Sequence, residues 1–486
     1  MQEAARLADP TKIPLRRVVG LSTAILLVAG NIIGTGVFKK IVPMAATGLS
    51  GSGILLAWLV AGVITLFGAF TMAGLAKTTT ASGGLYEYMR LTFGRFAGFI
   101  LGWTGFSISL SGSIAAIGFI FSQSVNSLVR LPDPLSRWSS VSIGNFIHPF
   151  DSSGVKFFTI ATIAVLTWFN YRGVKNGTWL NNIVTSLKIL GILLLIIVGL
   201  LFAVPAGGMA SLPAAPVDLR QAGSFSAFFA AALSAFWAYD GFTNVTYITG
   251  EIKRPKRNLP IAIIGGVCIV ILLYLLINYA YMKAVPASRL AALGENSIAA
   301  VFIAGKTMGG TGVILISLLI MLSAFGTLNV IILFYARLYY RMAQEKMFFR
   351  AAAKVHPVFR TPYVSLVYSM IWSMVLVISG TFDLLTDMSV FVSFIFYALL
   401  AMGLIKLKRR KVITGKIPGY PWAPVIFILF TLALSINTLI TRPKLSFTGL
   451  GLVAIGVPFY FYFKWRYAAL PTLQEQNDPG EKDITH

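Results

Sequence analysis

Glycines, one aspartate and one lysine stand in this sequence where their chemistry needs a reason. Gly30, Gly34 and Gly36 fall within the apolar stretch VAGNIIGTGVFKKIVP (28–43), Asp240 and Gly241 interrupt FWAYDGFTN (236–244), and Lys188 lies inside NNIVTSLKILGILLLIIVGL (181–200). Glycine is a poor helix former, so a run of glycines inside an apolar helix predicts a place where the backbone leaves helical geometry. The amides and carbonyls freed there need partners. A zwitterionic amino acid supplies both kinds: its carboxylate suits the amides at a half-helix N-terminus, and its ammonium suits carbonyls at a half-helix C-terminus. Closely spaced glycines also let helices approach one another, and that alternative stands beside the first.

The residues for covalent chemistry are missing. No Gly-x-Ser-x-Gly elbow or His-Glu-x-x-His pair occurs, so no enzyme is expected. AGKT (304–307) ends like a phosphate-binding loop, yet the glycine required five positions earlier is Ala300. Gly34–Thr35–Gly36 begins like a dinucleotide fingerprint, yet its last glycine position is Lys39. His148, His356 and His486 lie far apart without ligand spacing, so neither a metal site nor a cofactor is expected.

The elements that must position these residues are membrane helices. Of 486 residues, 57% are hydrophobic and 12% charged, and the apolar residues come in runs of span length. Twelve spans are expected, at 20–45, 52–76, 96–127, 155–171, 178–203, 224–249, 260–284, 309–338, 362–380, 385–406, 421–440 and 447–465. The fold class is therefore all-α membrane protein. The interrupted spans are the first and the sixth, the corresponding positions of a five-plus-five inverted repeat, with two accessory helices following and a substrate between the breaks near the midplane. The expected organisation is a cytoplasmic segment 1–19, a transport core 20–410, accessory spans within 411–466 and a cytoplasmic tail 467–486.

The net charge of +24 is distributed over separate loops, not along one stripe, which argues against nucleic acid. With the N-terminus inside, the outer segments hold eleven of the 40 Lys and Arg residues, while inner loops such as 253–257 and 406–411 are densely basic. This is the positive-inside bias, and it places both termini in the cytoplasm. Arg16 and Arg17 precede a first apolar run of full span length, so no cleaved signal is expected. The single cysteine, Cys268, excludes an internal disulfide and reads as a small core residue of its span.

Several ordered motifs resemble the amino acid, polyamine and organocation (APC) superfamily, in particular bacterial relatives of the L-type amino-acid transporters. GNIIGTGVF (30–38) resembles the first-helix signature, and SGGLYEYMRLTFG (82–94) the loop before the third helix. AYDGFTNVTYITGEIKRPKRNLPIAI (238–263) is similar to the sixth helix with its following loop, and SAFGTLNVIILFYARLYYRMAQEKMFF (323–349) with KVHPVFRTPY (354–363) to the eighth helix and its trailing loop. The resemblance implies sodium-independent exchange or facilitated movement of neutral L-amino acids by alternating access, in the inner (plasma) membrane of a bacterium.

It also implies a site. The amides around Gly34, Thr35 and Gly36 would hold the carboxylate, and carbonyls of Ile32 or Ile33 and of Phe236 or Ala238 the ammonium. Trp237 falls where the L-type transporters place an aromatic lid. Lys188, about ten positions and so roughly 15 Å into its span, resembles a tethered replacement for a sodium ion, held by first-helix carbonyls and Ser323. Snorkelling is its structural alternative, and a transported proton its other functional one.

Asp240, beside Gly241, either attracts a cation or proton or caps the unwound backbone as an Asx turn does. Glu251 is expected to pair with nearby basic residues. Two departures stand out: Lys39 and Lys40 follow Phe38 where the family carries an early proline, and the loop after the third span has no cysteine, so no disulfide-linked accessory subunit is expected. A proton-coupled symporter, and a membrane amino-acid sensor without turnover, are the alternatives.

Overall fold

The computed structural model describes residues 17, 19–79, 83–143, 148–173, 177–201, 224–294 and 297–467. A parallel bridge joins Val19 to Ile252, and the named elements are all helical. In chain order the first helices are α1 (Leu21–Ile32), α2 (Gly36–Lys39), α3 (Ile41–Ala45), α4 (Gly51–Leu75) and α5 (Leu85–Phe93). α6 (Arg95–Thr104) and α7 (Leu110–Leu128) are joined by a π-helical turn, and α8 (Ser153–Arg172), α9 (Gly177–Leu201) and α10 (Ser224–Tyr239) follow. The second half holds α11 (Pro255–Ala284), α12 (Ala287–Ala291), α13 (Ala299–Gln344), α14 (Tyr363–Ser379) and α15 (Phe382–Arg409). α16 (Trp422–Thr441), α17 (Pro443–Ala454) and α18 (Gly456–Arg466) complete it.

Among the described residues ten helical segments are long and apolar enough to cross a membrane, counting α1–α2, α6–α7 and α17–α18 as one each. Two expected spans are shorter. The sixth, expected over 224–249, is α-helical for only 16 residues, because the chain turns at Asp240. The ninth, α14, has 17 residues. The eighth begins earlier than its hydropathy suggests: α13 runs 46 residues and kinks at Gly309, where a φ of 65° separates a first section from the expected span.

Two groups of helices pack separately. α11 lies against α1 and α4, and α10 against α4; α7 lies against α8, α13, α14 and α15. α9 bridges the groups through α1, α11 and α13, while α15 touches both α7 and α10. The outer surface is apolar, with Leu201 71%, Ile440 73% and Trp465 77% exposed, as a hydrocarbon solvent allows. Cys268 belongs to that surface, not to the core. An apolar position on a membrane helix faces lipid as readily as protein, so hydropathy alone did not separate the two.

Candidate functional site

Both expected breaks are present. α1 stops at Ile32, and the next residue adopts φ −70° and ψ 74° while the Gly34 amide turns back to the Ile32 carbonyl at 2.7 Å. That is an inverse γ-turn, which re-aims the chain before α2 starts at Gly36. The second break begins where α10 ends at Tyr239. Gly241 takes φ 102°, a conformation that strains any residue with a Cβ, and a 3-10 segment continues over Asn244–Glu251.

The glycines at the breaks face each other's helices. A Cβ on Gly36 would lie 2.6 Å from Ala238 Cα, and one on Gly241 would lie 2.8 Å from the Asn31 carbonyl oxygen. Each break is thus seated on the end of the other interrupted helix. Gly30 answers a different need, since its Cβ would meet Thr185 Oγ1 at 2.2 Å. A Cβ on Gly34 would make only ordinary contacts, its nearest neighbour being the Ile32 carbonyl oxygen at 3.8 Å. Close packing therefore explains Gly30 and Gly36 and leaves Gly34 to another purpose.

A tyrosine that sequence reasoning did not single out ties the breaks together. The Tyr274 hydroxyl on α11 lies 2.9 Å from the Ile32 carbonyl and 3.1 Å from the Ala238 carbonyl. One phenolic proton is shared between two helix ends. Its ring is set by edge contacts to Trp58 at 5.5 Å and by Tyr239 at 5.1 Å.

A small cavity opens between the breaks, walled by Ile32, Gly34, Thr35, Gly36, Trp237, Asp240 and Gly241, with α7 and α13 behind. Its volume is about 30 Å³, room for one or two waters. The Thr35 hydroxyl is buried here without a hydrogen-bond partner among the described residues. Other buried hydroxyls, such as those of Ser107 and Ser373, also lack a partner among the described residues, but Thr35 is the one of them that lines this cavity. A second cavity of about 30 Å³ shares Asp240 and Asn244 and extends to Leu85, Tyr247 and Tyr397. Asp240 accepts a hydrogen bond from the Tyr397 hydroxyl at 2.9 Å, so its carboxylate has a partner on α15 in addition to any role in the turn.

Behind the first break, the buried Lys188 ammonium donates to the Gly30 carbonyl at 3.0 Å and to the Thr327 hydroxyl at 2.6 Å. Ser323, one helical turn before Thr327, donates instead to the Gly34 carbonyl at 3.1 Å. The two hydroxyls divide the work expected of Ser323 alone. The i, i+4 spacing of Ser323 and Thr327 was the available signal for the second. Snorkelling is excluded as the reason for Lys188, whose head group points into the protein and is buried.

Charged networks close both ends. At one, Lys40 is fully buried and bonds Asp383, Thr386 and Asp387 at 2.7, 2.7 and 3.0 Å, while Lys39 donates to Gln123 at 3.0 Å. At the other, Glu87 on α5 pairs with Arg90 and Arg341, and Glu251 pairs with Arg337. Burial, with Glu345 and Glu87 close by, pushes the Tyr86 phenol above its usual range and keeps it protonated. Glu251 thus finds a basic partner, on α13 and not in the loop next to it. Gly84, at φ 59°, brings its own backbone against the Tyr247 ring, where a Cβ would not fit.

Of the residues expected at the site, Ile32, Gly34, Thr35, Gly36, Trp237, Asp240 and Gly241 share one cavity wall. Ile33, Phe236 and Ala238 flank it in the same two segments, and Lys188 with Ser323 stands behind the first break. Trp237 is 7% exposed and meets Phe382 edge to face at 6.3 Å.

The family described as amino acid permease matches residues 19–458. The serine/threonine exchanger SteT of Bacillus subtilis is 30% identical over 462 residues, covering 94% of this chain and 98% of that protein. The large neutral amino acids transporter small subunit 2 of Mus musculus is 28% identical, covering 92% of this chain and 81% of its own length. The b(0,+)-type amino acid transporter 1 of Rattus norvegicus is 27% identical, covering 96% and 92%.

Proposed function

The chain belongs to the amino acid permease family, and from that premise we propose that it is a sodium-independent exchanger or facilitator of neutral L-amino acids. It is an integral membrane protein whose similar proteins carry amino acids. The observation that carries the finer reading is the cavity walled by both interrupted helices, with the unpartnered Thr35 hydroxyl in it. The amides at Thr35 and Gly36 receive the substrate carboxylate, while the Gly34 amide is committed to the Ile32 carbonyl and shapes the turn that presents them. Both acceptor positions of the Ile32 carbonyl are used by the Gly34 amide and Tyr274, so Ile33, with Phe236 or Ala238, supplies the carbonyls for the ammonium. Trp237 covers the pair.

Lys188 supplies a fixed positive charge beside the first break, the role a sodium ion would otherwise fill, and Thr327 and Ser323 complete that junction. The chain crosses the membrane twelve times, with an inverted repeat inside a core of residues 20–410, accessory helices in 411–466 and both termini in the cytoplasm. The inner membrane of a bacterium is its place. With Cys268 as the only cysteine, and that inside α11, the carrier works without a disulfide-linked subunit.

A second reading, transport of cationic amino acids, is favoured by Asp240, whose carboxylate lies in the wall common to both cavities. Counterflow into proteoliposomes with labelled serine, leucine, glutamate and lysine separates the readings. Uptake of serine or leucine, unchanged when choline replaces sodium, is expected; uptake of lysine alone would establish the cationic reading, and no uptake of any would leave the sensor.

A further inference from the structure

The basic pair Lys39–Lys40 has no part in holding a substrate, yet it is buried at the end of the first interrupted helix. We propose that Lys40 is a positioning residue: a latch that fixes the start of α15, and with it Phe382, as a second cover beyond Trp237, so that this exit opens only when the Lys40 cluster lets go. The proposal rests on the transport reading, since a latch matters only where a cavity must open.

All three ammonium protons of Lys40 are used, on Asp383, Thr386 and Asp387, which lie in the first turns of α15. The same ammonium stands 5.0 Å from the Phe382 ring centre, and that of Lys39 stands 4.5 Å from it. Cation–π contact on this ring and its edge contact with Trp237 form a continuous chain from the latch to the cavity. Lys40 is also only four residues beyond Gly36, through the short helix α2, so movement of the first break pulls directly on the cluster.

A buried ion pair is weak evidence for added stability, because well-packed apolar residues would serve as well. This one is built to part. Arg442, 38% exposed along its side chain, also pairs with Asp387, so that carboxylate keeps a partner after Lys40 leaves. Asp383 is 19% exposed and takes up water. Opening therefore leaves each carboxylate with a partner, Arg442 for Asp387 and water for Asp383.

The test is cysteine accessibility in nanodiscs. Cys268→Ala removes the native thiol, and Ile117→Cys places one in the cavity wall; Ser393→Cys in the second cavity is the control for the opposite side. Lys40→Gln should raise the rate at which a charged maleimide labels Ile117→Cys roughly tenfold or more, without raising labelling of Ser393→Cys. The exchanged pair Lys40→Asp with Asp383→Lys should restore slow labelling. Should Lys40→Gln lose its monodisperse peak on size exclusion, Asp383→Asn is read in its place. Unchanged labelling, faster labelling of both cavities, failure of the exchanged pair to restore it, or loss of fold in both single variants would overturn the latch. The labelling is read without any amino acid, so its outcome is independent of whether counterflow succeeds.

Discussion

Lys188 and Gly30, 158 residues apart in the chain, meet through an ammonium and a carbonyl 3.0 Å apart at the point where the first helix is about to break. The lysine joins α9 to α1, and its second bond, to Thr327, brings in α13. One charge holds three helices from both packing groups. Lys188→Ala leaves these acceptors buried and unmet, at about 1–3 kcal/mol for each group. Exchange in proteoliposomes should fall at least tenfold, and wild-type exchange should be indifferent to sodium. A sodium requirement in the wild type, or an alanine variant with unaltered kinetics, would reject the assignment. Acidification or alkalinisation of the lumen in step with substrate would make the same lysine a proton carrier.

The glycines predict opposite phenotypes. Gly34→Ala meets nothing closer than 3.8 Å, so stability should change by no more than about 1 kcal/mol. The methyl nevertheless enters the cavity, and substrate-induced thermal stabilisation should disappear. Gly36→Ala forces its methyl onto the Ala238 backbone, and should cost about 1–3 kcal/mol before any ligand is added. Thermal melts with and without substrate read both effects, and identical behaviour of the two variants would refute the distinction.

Tyr274→Phe removes the single hydroxyl shared by the Ile32 and Ala238 carbonyls. Ring packing against Trp58 and Tyr239 is retained, so the loss is confined to hydrogen bonding. Stability should drop by about 1–3 kcal/mol, and exchange should slow although residue 274 touches no substrate. Full activity together with an unchanged melting temperature would mean that the breaks hold themselves.

Trp237→Ala withdraws apolar cover from the cavity, and with it the edge contact to Phe382. Leucine and phenylalanine should then compete more strongly against a small labelled substrate. An unaltered inhibition profile would make Trp237 a packing residue.

Much of the site could be read along the chain because a break in a membrane helix leaves a local mark. Glycines and an aspartate inside apolar runs located both interruptions to within a few residues. Lys188 stood out for the same reason, as a charge in a place where charge is costly. The partners were harder to see. Tyr274 and Tyr397 lie in stretches that show nothing unusual, and Thr327 offers only its spacing from Ser323; the packing of distant segments brings the three hydroxyls to the breaks. Lys39 and Lys40 show no partner in the neighbouring sequence; Lys39 finds Gln123, and Lys40 finds Asp383 and Asp387 more than three hundred residues later. Cys268 went wrong for the opposite reason, since apolar composition is silent about which side of a helix faces lipid.

The reciprocal seating of Gly36 on Ala238 and Gly241 on Asn31 has a mechanical meaning. Two segments interlocked at both bends, and riveted by one phenol, cannot slide past each other without prising all three contacts apart. In the proposed transport cycle they tilt as one body, and the motion that exposes the cavity first to one side of the bilayer and then to the other falls to the boundary with the α7, α8, α13, α14 and α15 group. There the Lys188 bond to Thr327 and the Lys40 bonds to Asp383 and Asp387 are the contacts that must yield.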